Sequence, residues 1–409
     1  MRAPAGSGLL LLLLAFGAAA QDIAVRGDRV YPVTGPVIED GVVIVRDGRI
    51  AAVGPAGRVS IPRGMEVVDA AVVTPGLVDA RSVVGLAGYL NQEDDQDQLE
   101  RSDAIQPELR AIDAYDPREE LVAWLRGFGI TTVHTGHAPG EVVSGQTMIV
   151  KTAGDTVEDA VVVPFAMVAA TLGEGAVVDN VNGRKSPGNR STAVAMLRAE
   201  LLRARAYAEK LDAAGKDAAK RPDRDLRAEA LVHVLKGEKP LLVTAHRHHD
   251  IVTALRLAEE FGLRLVLDGA AEAYLVLDEI RAAGVPVLIH PLMARAWQEQ
   301  ENMSFTTPAR LAAAEIPFAF QSGFESYVPK TRVLLFEAAI TLQHGLTFEQ
   351  ALSAATIGAA RILGIDERVG SIERGKDGDL ALYDGDPFEY TSHAIGTIIE
   401  GVRVSDVRH

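Results

Sequence analysis

The chain has 409 residues, a formal net charge of −15 and a pI near 5.2, a balance that argues against nucleic acid and anionic lipid surfaces as partners. Its residues are 48% apolar and none is cysteine, so a large core can be buried, while disulfides and lipid-anchoring cysteines are excluded. The length suits one large domain with an accessory unit.

Met1-Arg2, the apolar run Leu9 to Phe16 and the small residues Ala18-Ala19-Ala20 before Gln21 make residues 1–20 a signal peptide. The run is too short to span a bilayer, so the expectation is an exported chain beginning near Gln21, periplasmic or secreted, with no membrane span. From Ile23 to Val73 short apolar runs alternate with Gly, Pro and Asp, and Val42–Val45, Asp47-Gly48 and Arg49–Val53 read as a hairpin. Val72-Val73, Pro75-Gly76 and Leu77-Val78 form a strand that delivers Asp79, Ala80, Arg81, Ser82 and Val83 to a polar tip.

An acidic stretch, residues 89–120, has little apolar periodicity and reads as a long loop over that tip. Leu121 to Phe128 is helical, and the strand Gly129–Val133 ends in His134, Thr135, Gly136 and His137. Gly145 to Val150 is a strand before Lys151, which reads as a surface or rim lysine. A long amphipathic helix is expected from Arg190 to Ala219, and another from Arg227 to Leu235.

Four further strand tips follow. Leu241–Val243 leads into Thr244, His246, Arg247, His248 and His249, with a helix from Ile251 to Phe261. Leu263–Leu267 ends in Asp268-Gly269, Val285–Ile289 in His290-Pro291, and Ile316–Phe320 in Gln321-Ser322-Gly323. Short strands then return in Gly370–Pro387 and Ala394–Asp406. Alternating strands and helices define an α/β fold, a (β/α)8 TIM-like barrel whose strand C-termini converge on one mouth.

The run from Val72 to Val83 resembles the opening signature of the amidohydrolase superfamily, V-x-P-G-L-I-D-x-H-x-H, and Thr244–Ile251 resembles the H-A-H-R-x-D-D-I run of its imidazolonepropionase-like members. The Gly375–Leu380 and Asp384–Pro387 segments are similar to that family's closing motif. The resemblance implies a barrel over residues 76–364 and a composite β-sandwich from 21–75 plus 365–409. It also implies hydrolysis of carbon–nitrogen bonds other than peptide bonds with a bound divalent metal. In its register Arg81 and Val83 stand at the two opening histidines, Thr244 and Gly269 at later histidines, and Gly323 at the strand-eight aspartate.

Three readings stay open. His134, His137, His246 and His290 would hold zinc in a rearranged site; Asp79, His246 and Glu272 would act as acid or base without a metal; or the barrel binds a small molecule or partner without turnover. Asp79 reads equally as a structural carboxylate. Arg81, Arg247 and Arg264 are candidate anchors for a ligand carboxylate, with Gln321 on the same rim. Oligomeric state is left open.

Overall fold

A computed structural model of the chain describes residues 22–90, 92–177, 186–325 and 331–409; the segment read as a signal peptide lies outside these residues. The described strands are β1 (Ile23–Val30), β2 (Ile38–Arg46), β3 (Arg49–Pro55), β4 (Glu66–Pro75), β5 (Leu77–Ser82), β6 (Ile130–Gly136), β7 (Val143–Lys151) and β8 (Val161–Val163). They continue as β9 (Val168–Thr171), β10 (Leu241–Ala245), β11 (Leu265–Gly269), β12 (Val287–Ile289), β13 (Phe318–Ala319), β14 (Leu380–Tyr383), β15 (Ala394–Ile399) and β16 (Val402–Ser405).

Both chain ends enter one sheet, in the order β16-β15-β14-β4-β1-β2-β3. The expected hairpin is β2–β3: Arg46 pairs with Arg49, and Asp47 and Gly48 both take positive φ, 49° and 74°. That is the combination a two-residue turn needs to match strand twist.

The second sheet runs β13-β12-β11-β10-β9-β7-β6-β5, with β8 beside β7. It curls until its edges meet: Ala80 N–H donates to Phe320 O at 3.2 Å, Gly323 N–H donates to Arg81 O at 3.0 Å, and Ser82 and Gly323 form a parallel bridge. The sheet is therefore a nearly closed barrel. It differs from eight βα repeats around β7, which runs antiparallel to β6, to β9 and to the additional strand β8. The turn from β6 to β7, residues 137–142, is too short for a crossover helix, so the strand must come back beside its predecessor.

Side-chain alternation sets the barrel interior. Val78, Ile149, Ala169, Leu242, Val266, Leu288 and Ala319 form one buried apolar cluster. Two residues further along four of these strands come Thr244, Asp268, His290 and Gln321, so the apolar layer is capped by a polar one at the strand C-termini. Helices pack on the outer face through a larger cluster that includes Leu197, Leu201, Leu231, Ile251 and Leu257.

The long helix spans Arg190–Ala214 and is shorter than expected, because Gly215 ends it with φ 53° and Ala218–Lys220 is only a 3-10 turn. The acidic stretch is largely irregular, but Ala104, Ile105 and Ala111 are buried in it, and it bridges to β7 at Ile105–Val143 and Arg110–Gln146. Lys151 is a correction: it is buried, 5% exposed, and its Nζ lies 2.9 Å from Asp377 and 2.5 Å from Asp379. The pair ties the barrel to the sheet of chain ends. Among the described residues no helix is long and apolar enough to cross a membrane.

Candidate functional site

The mouth holds a cavity of about 40 Å3 lined by Arg81, Thr244, His246, Asp268, His290 and Gln321, with Gly269, Gln300 and Gly323 at its edges. A larger cavity of about 910 Å3 opens at the opposite end, against Pro240, Arg264, Pro286, Pro317 and Ser353. We place the candidate site at the small one, because barrel chemistry is built on strand C-termini and the polar layer is there. Arg264 thereby leaves the set of anchors. It precedes β11, is exposed, and donates to Gly237 O at 3.1 Å.

Asp268 organises the mouth. Thr244 Oγ1 donates to one of its oxygens at 2.5 Å and Gln321 Nε2 to the other at 2.7 Å, and Gln321 also reaches Leu288 O at 3.0 Å. Sequence reasoning stopped at Asp268 as a strand tip, although the step from Val266 to Asp268 on one face was its signal. Gln300, which reaches His246 at 3.2 Å, gave no signal, since it arrives from a single 3-10 turn, Gln298–Gln300, 54 residues away in sequence.

Arg81 sits where pairing between β5 and β6 slips, between Asp79 and Ser82. Its guanidinium is 3% exposed and donates to Ser82 O at 3.1 Å and to His137 O. Burial lowers its pKa, against the raising fields of Asp268 and Asp79. Asp79 is fully buried. It accepts from Ser322 N–H at 2.9 Å, Arg81 N–H at 3.2 Å and the Ser322 hydroxyl. Burial pushes it up to about 7 despite those bonds.

The histidines divide. His246 and His290 both line the cavity, and burial pushes each down to about 4, leaving neutral imidazoles. His134 does not lie on a strand tip: it is inside β6, with Nδ1 2.7 Å from Ala80 O and Nε2 2.7 Å from Thr147 Oγ1. Both ring nitrogens are thus used, and burial followed by the Arg81 charge takes it down to about 3. His137 is buried but its ring packs beside Gly145, outside the cavity.

Glu272 and Arg247 bind each other instead of facing the cavity. Glu272 accepts from Arg247 at 3.0 Å, Asn302 at 2.7 Å, and His248 through N–H at 2.8 Å and Nδ1 at 2.7 Å. Burial opposes its charge, yet these donors hold it down to about 2. Arg247 also reaches Glu301 at 2.8 Å and Gln298 O at 3.1 Å, so its fork is already filled.

Two glycines narrow the mouth. A Cβ on Gly269, at φ 79°, would overlap the His246 ring, and one on Gly323, at φ 68°, would overlap Pro291. Among the described residues no group of three or more His, Asp or Glu side chains is arranged to hold a metal ion.

A nearly closed barrel with a polar mouth beside a sheet made from both ends of the chain is an arrangement shared with a solved amidohydrolase. The amidohydrolase family model matches residues 86–405, and the chain belongs to that family. Imidazolonepropionase of Solibacter usitatus (strain Ellin6076) is 25% identical over 396 residues, covering 89% of this chain and 91% of that protein. Amidohydrolase tasK of Hapsidospora irregularis is 24% identical over 369 residues, 82% of this chain, which spans only 36% of that protein. Among solved structures, an amidohydrolase from Thermotoga maritima MSB8 superposes with TM-score 0.87 at 28% identity, covering 94% of this chain and all of that one. Molinate hydrolase, at 15% identity and TM-score 0.57 over 94% of this chain and 95% of its own, shows likeness of fold alone.

Proposed function

We propose that this amidohydrolase-family chain holds a small molecule at its barrel mouth and does not perform metal-assisted hydrolysis on it. One observation carries the reading: a buried guanidinium, Arg81, borders the cavity at a position where the resemblance expects a metal-binding histidine. A resident divalent cation needs several neutral imidazoles and carboxylates with lone pairs to give. Here Asp268 already accepts from Thr244 and Gln321, His134 and His137 are elsewhere, and a fixed positive charge repels a second one. The residues present do not fit a catalytic zinc.

A second reading is hydrolysis of a carbon–nitrogen bond other than a peptide bond, with neutral His246 as base. What favours it is the likeness to imidazolonepropionases over almost their whole length. Export with loss of the first twenty residues belongs to the same proposal and is checked by the mass of the chain recovered from the periplasm.

The deciding experiment is metal analysis of untagged protein purified without chelator, before and after incubation with zinc, together with assays on imidazolone propionate, small amides and lactams. The expected result is far less than one zinc per chain and no turnover. Turnover above background without bound zinc would overturn the first reading and support the second, and near-stoichiometric zinc lost on replacing His246 and His290 would overturn both.

A further inference from the structure

Among the described residues, Arg81 is a buried charge without a counter-ion in contact. Its hydrogen bonds go to two neutral carbonyls, those of Ser82 and His137, and among the described residues no carboxylate lies within ion-pair distance of it. Asp268 lines the same cavity, but its two oxygens are engaged by Thr244 at 2.5 Å and Gln321 at 2.7 Å. It and Asp79, whose carboxylate is held by Ser322, moderate the Arg81 charge from a distance, and Asp268 opposes any anion that enters. Buried charges are normally paired, because an unpaired one forgoes its hydration without replacement.

The two imidazoles add directional groups. Gln300 Nε2 approaches His246 Nε2 at 3.2 Å; an amide N–H donates there, so the ring hydrogen sits on Nδ1, which has no partner among the described residues. His290 Nδ1 lies 3.1 Å from Pro291 O, which can only accept. The hydrogen is therefore on Nδ1 and the lone pair on Nε2, again without a partner among the described residues, on a residue 1% exposed. The cavity thus presents donors from Arg81 and His246 and one acceptor from His290. Its volume of about 40 Å3 holds only a few water-sized units, at roughly 10–15 Å3 each.

We infer that the mouth cavity binds a small planar oxyanion that keeps one hydrogen to donate, of which bicarbonate is the simplest. Two of its oxygens accept from the Arg81 guanidinium and from His246 Nδ1–H, and its O–H donates to His290 Nε2. The planar fork of a guanidinium matches two oxygens of such an ion, and contact with it replaces the missing counter-charge. The inference rests on reading the mouth as a ligand site and names the ligand's class.

The test is thermal unfolding in sealed cells at fixed, mildly alkaline pH and constant ionic strength, with bicarbonate against nitrate. Nitrate has the same planar shape and charge but no hydrogen. A ligand that binds only the folded state raises Tm, so bicarbonate is expected to give a saturable rise of at least about 1 °C, nitrate less than half of it, and Arg81→Met none. A second measurement on the unaltered protein guards against a variant that fails to fold: the 13C line of labelled bicarbonate should broaden, and unlabelled bicarbonate but not nitrate should reverse this. Absence of a saturable shift and of broadening, or an equal response to nitrate, would overturn the inference. Zinc uptake with amide turnover would overturn the proposed function instead, so the two failures are told apart.

Discussion

At the scale of single residues, the mouth shows how the surroundings of a side chain decide its role. Asp79 was a candidate acid or base and equally a candidate structural carboxylate. Its contacts are the backbone of Arg81 and both donors of Ser322, so it stitches β5 to the segment after β13. Its folded pKa, about 7, stands above the ordinary 3.8. The folded state therefore binds the extra proton, and that stabilisation is full below the unfolded pKa and lost as pH rises through the folded one. In Asp79→Asn this loss disappears. The stability difference between wild type and variant, measured by urea unfolding, should change against wild type by up to about 1.4 kcal/mol per pH unit between the two pKa values, then level off. His134, with both nitrogens satisfied inside β6, should behave as a structural residue. His134→Ala is expected to cost about 2–3 kcal/mol while leaving metal content and bicarbonate response unchanged; a change in either would return it to the site.

At the scale of elements, Lys151 ends β7 and reaches across to the turn and strand that follow it near residue 377. Burial works against its charge, but Asp379 and Asp377 raise its pKa, and Arg368 adds a further bond to Asp377 at 2.9 Å. Removing the lysine leaves the buried Asp379 without its cation beside Asp377, which keeps Arg368 and Arg49. Lys151→Met should destabilise by about 3–5 kcal/mol, read by urea unfolding, and a second change, Asp379→Asn, should recover part of the loss. Local sequence could not show this clamp, since its partners lie 226 and 228 residues apart. By contrast the β2–β3 hairpin was legible because Asp47-Gly48 carries its own turn chemistry. The strand tips at Thr244, Asp268, His290 and Gln321 were legible through alternation. The reversal of β7 was not, because a strand's apolar pattern is the same in either direction. Nor was the sorting of the histidines: His134 and His246 follow similar runs, and only pairing shows that one is inside a strand and the other at a rim.

At the scale of the whole molecule, two sets of buried groups pull the pH dependence of stability in opposite senses. Burial raises Asp79, Glu119 and Glu337 to about 7 each, so their contribution declines as pH rises from the unfolded carboxyl range towards 7. Burial lowers His134, His137, His246 and His290 to between about 3 and about 4. Their contribution grows as pH rises from that range to about 6.5, the unfolded value. Across the shared window the slopes largely cancel. Unfolding free energy should vary by much less than either set alone would give, and Glu337→Gln should unmask a rise with pH that urea titrations at several pH values would detect.

The two crowded glycines of the mouth limit which substitutions this chain accepts there. In the register of the resemblance, Gly269 and Gly323 occupy a histidine and an aspartate position, yet any side chain there would run into His246 or Pro291 and would need a backbone shape that glycine tolerates best. Gly269→His alone would displace the His246 ring, and should lower Tm without gaining zinc. A side chain at either position therefore needs a second change, in His246 or Pro291, to make room for it.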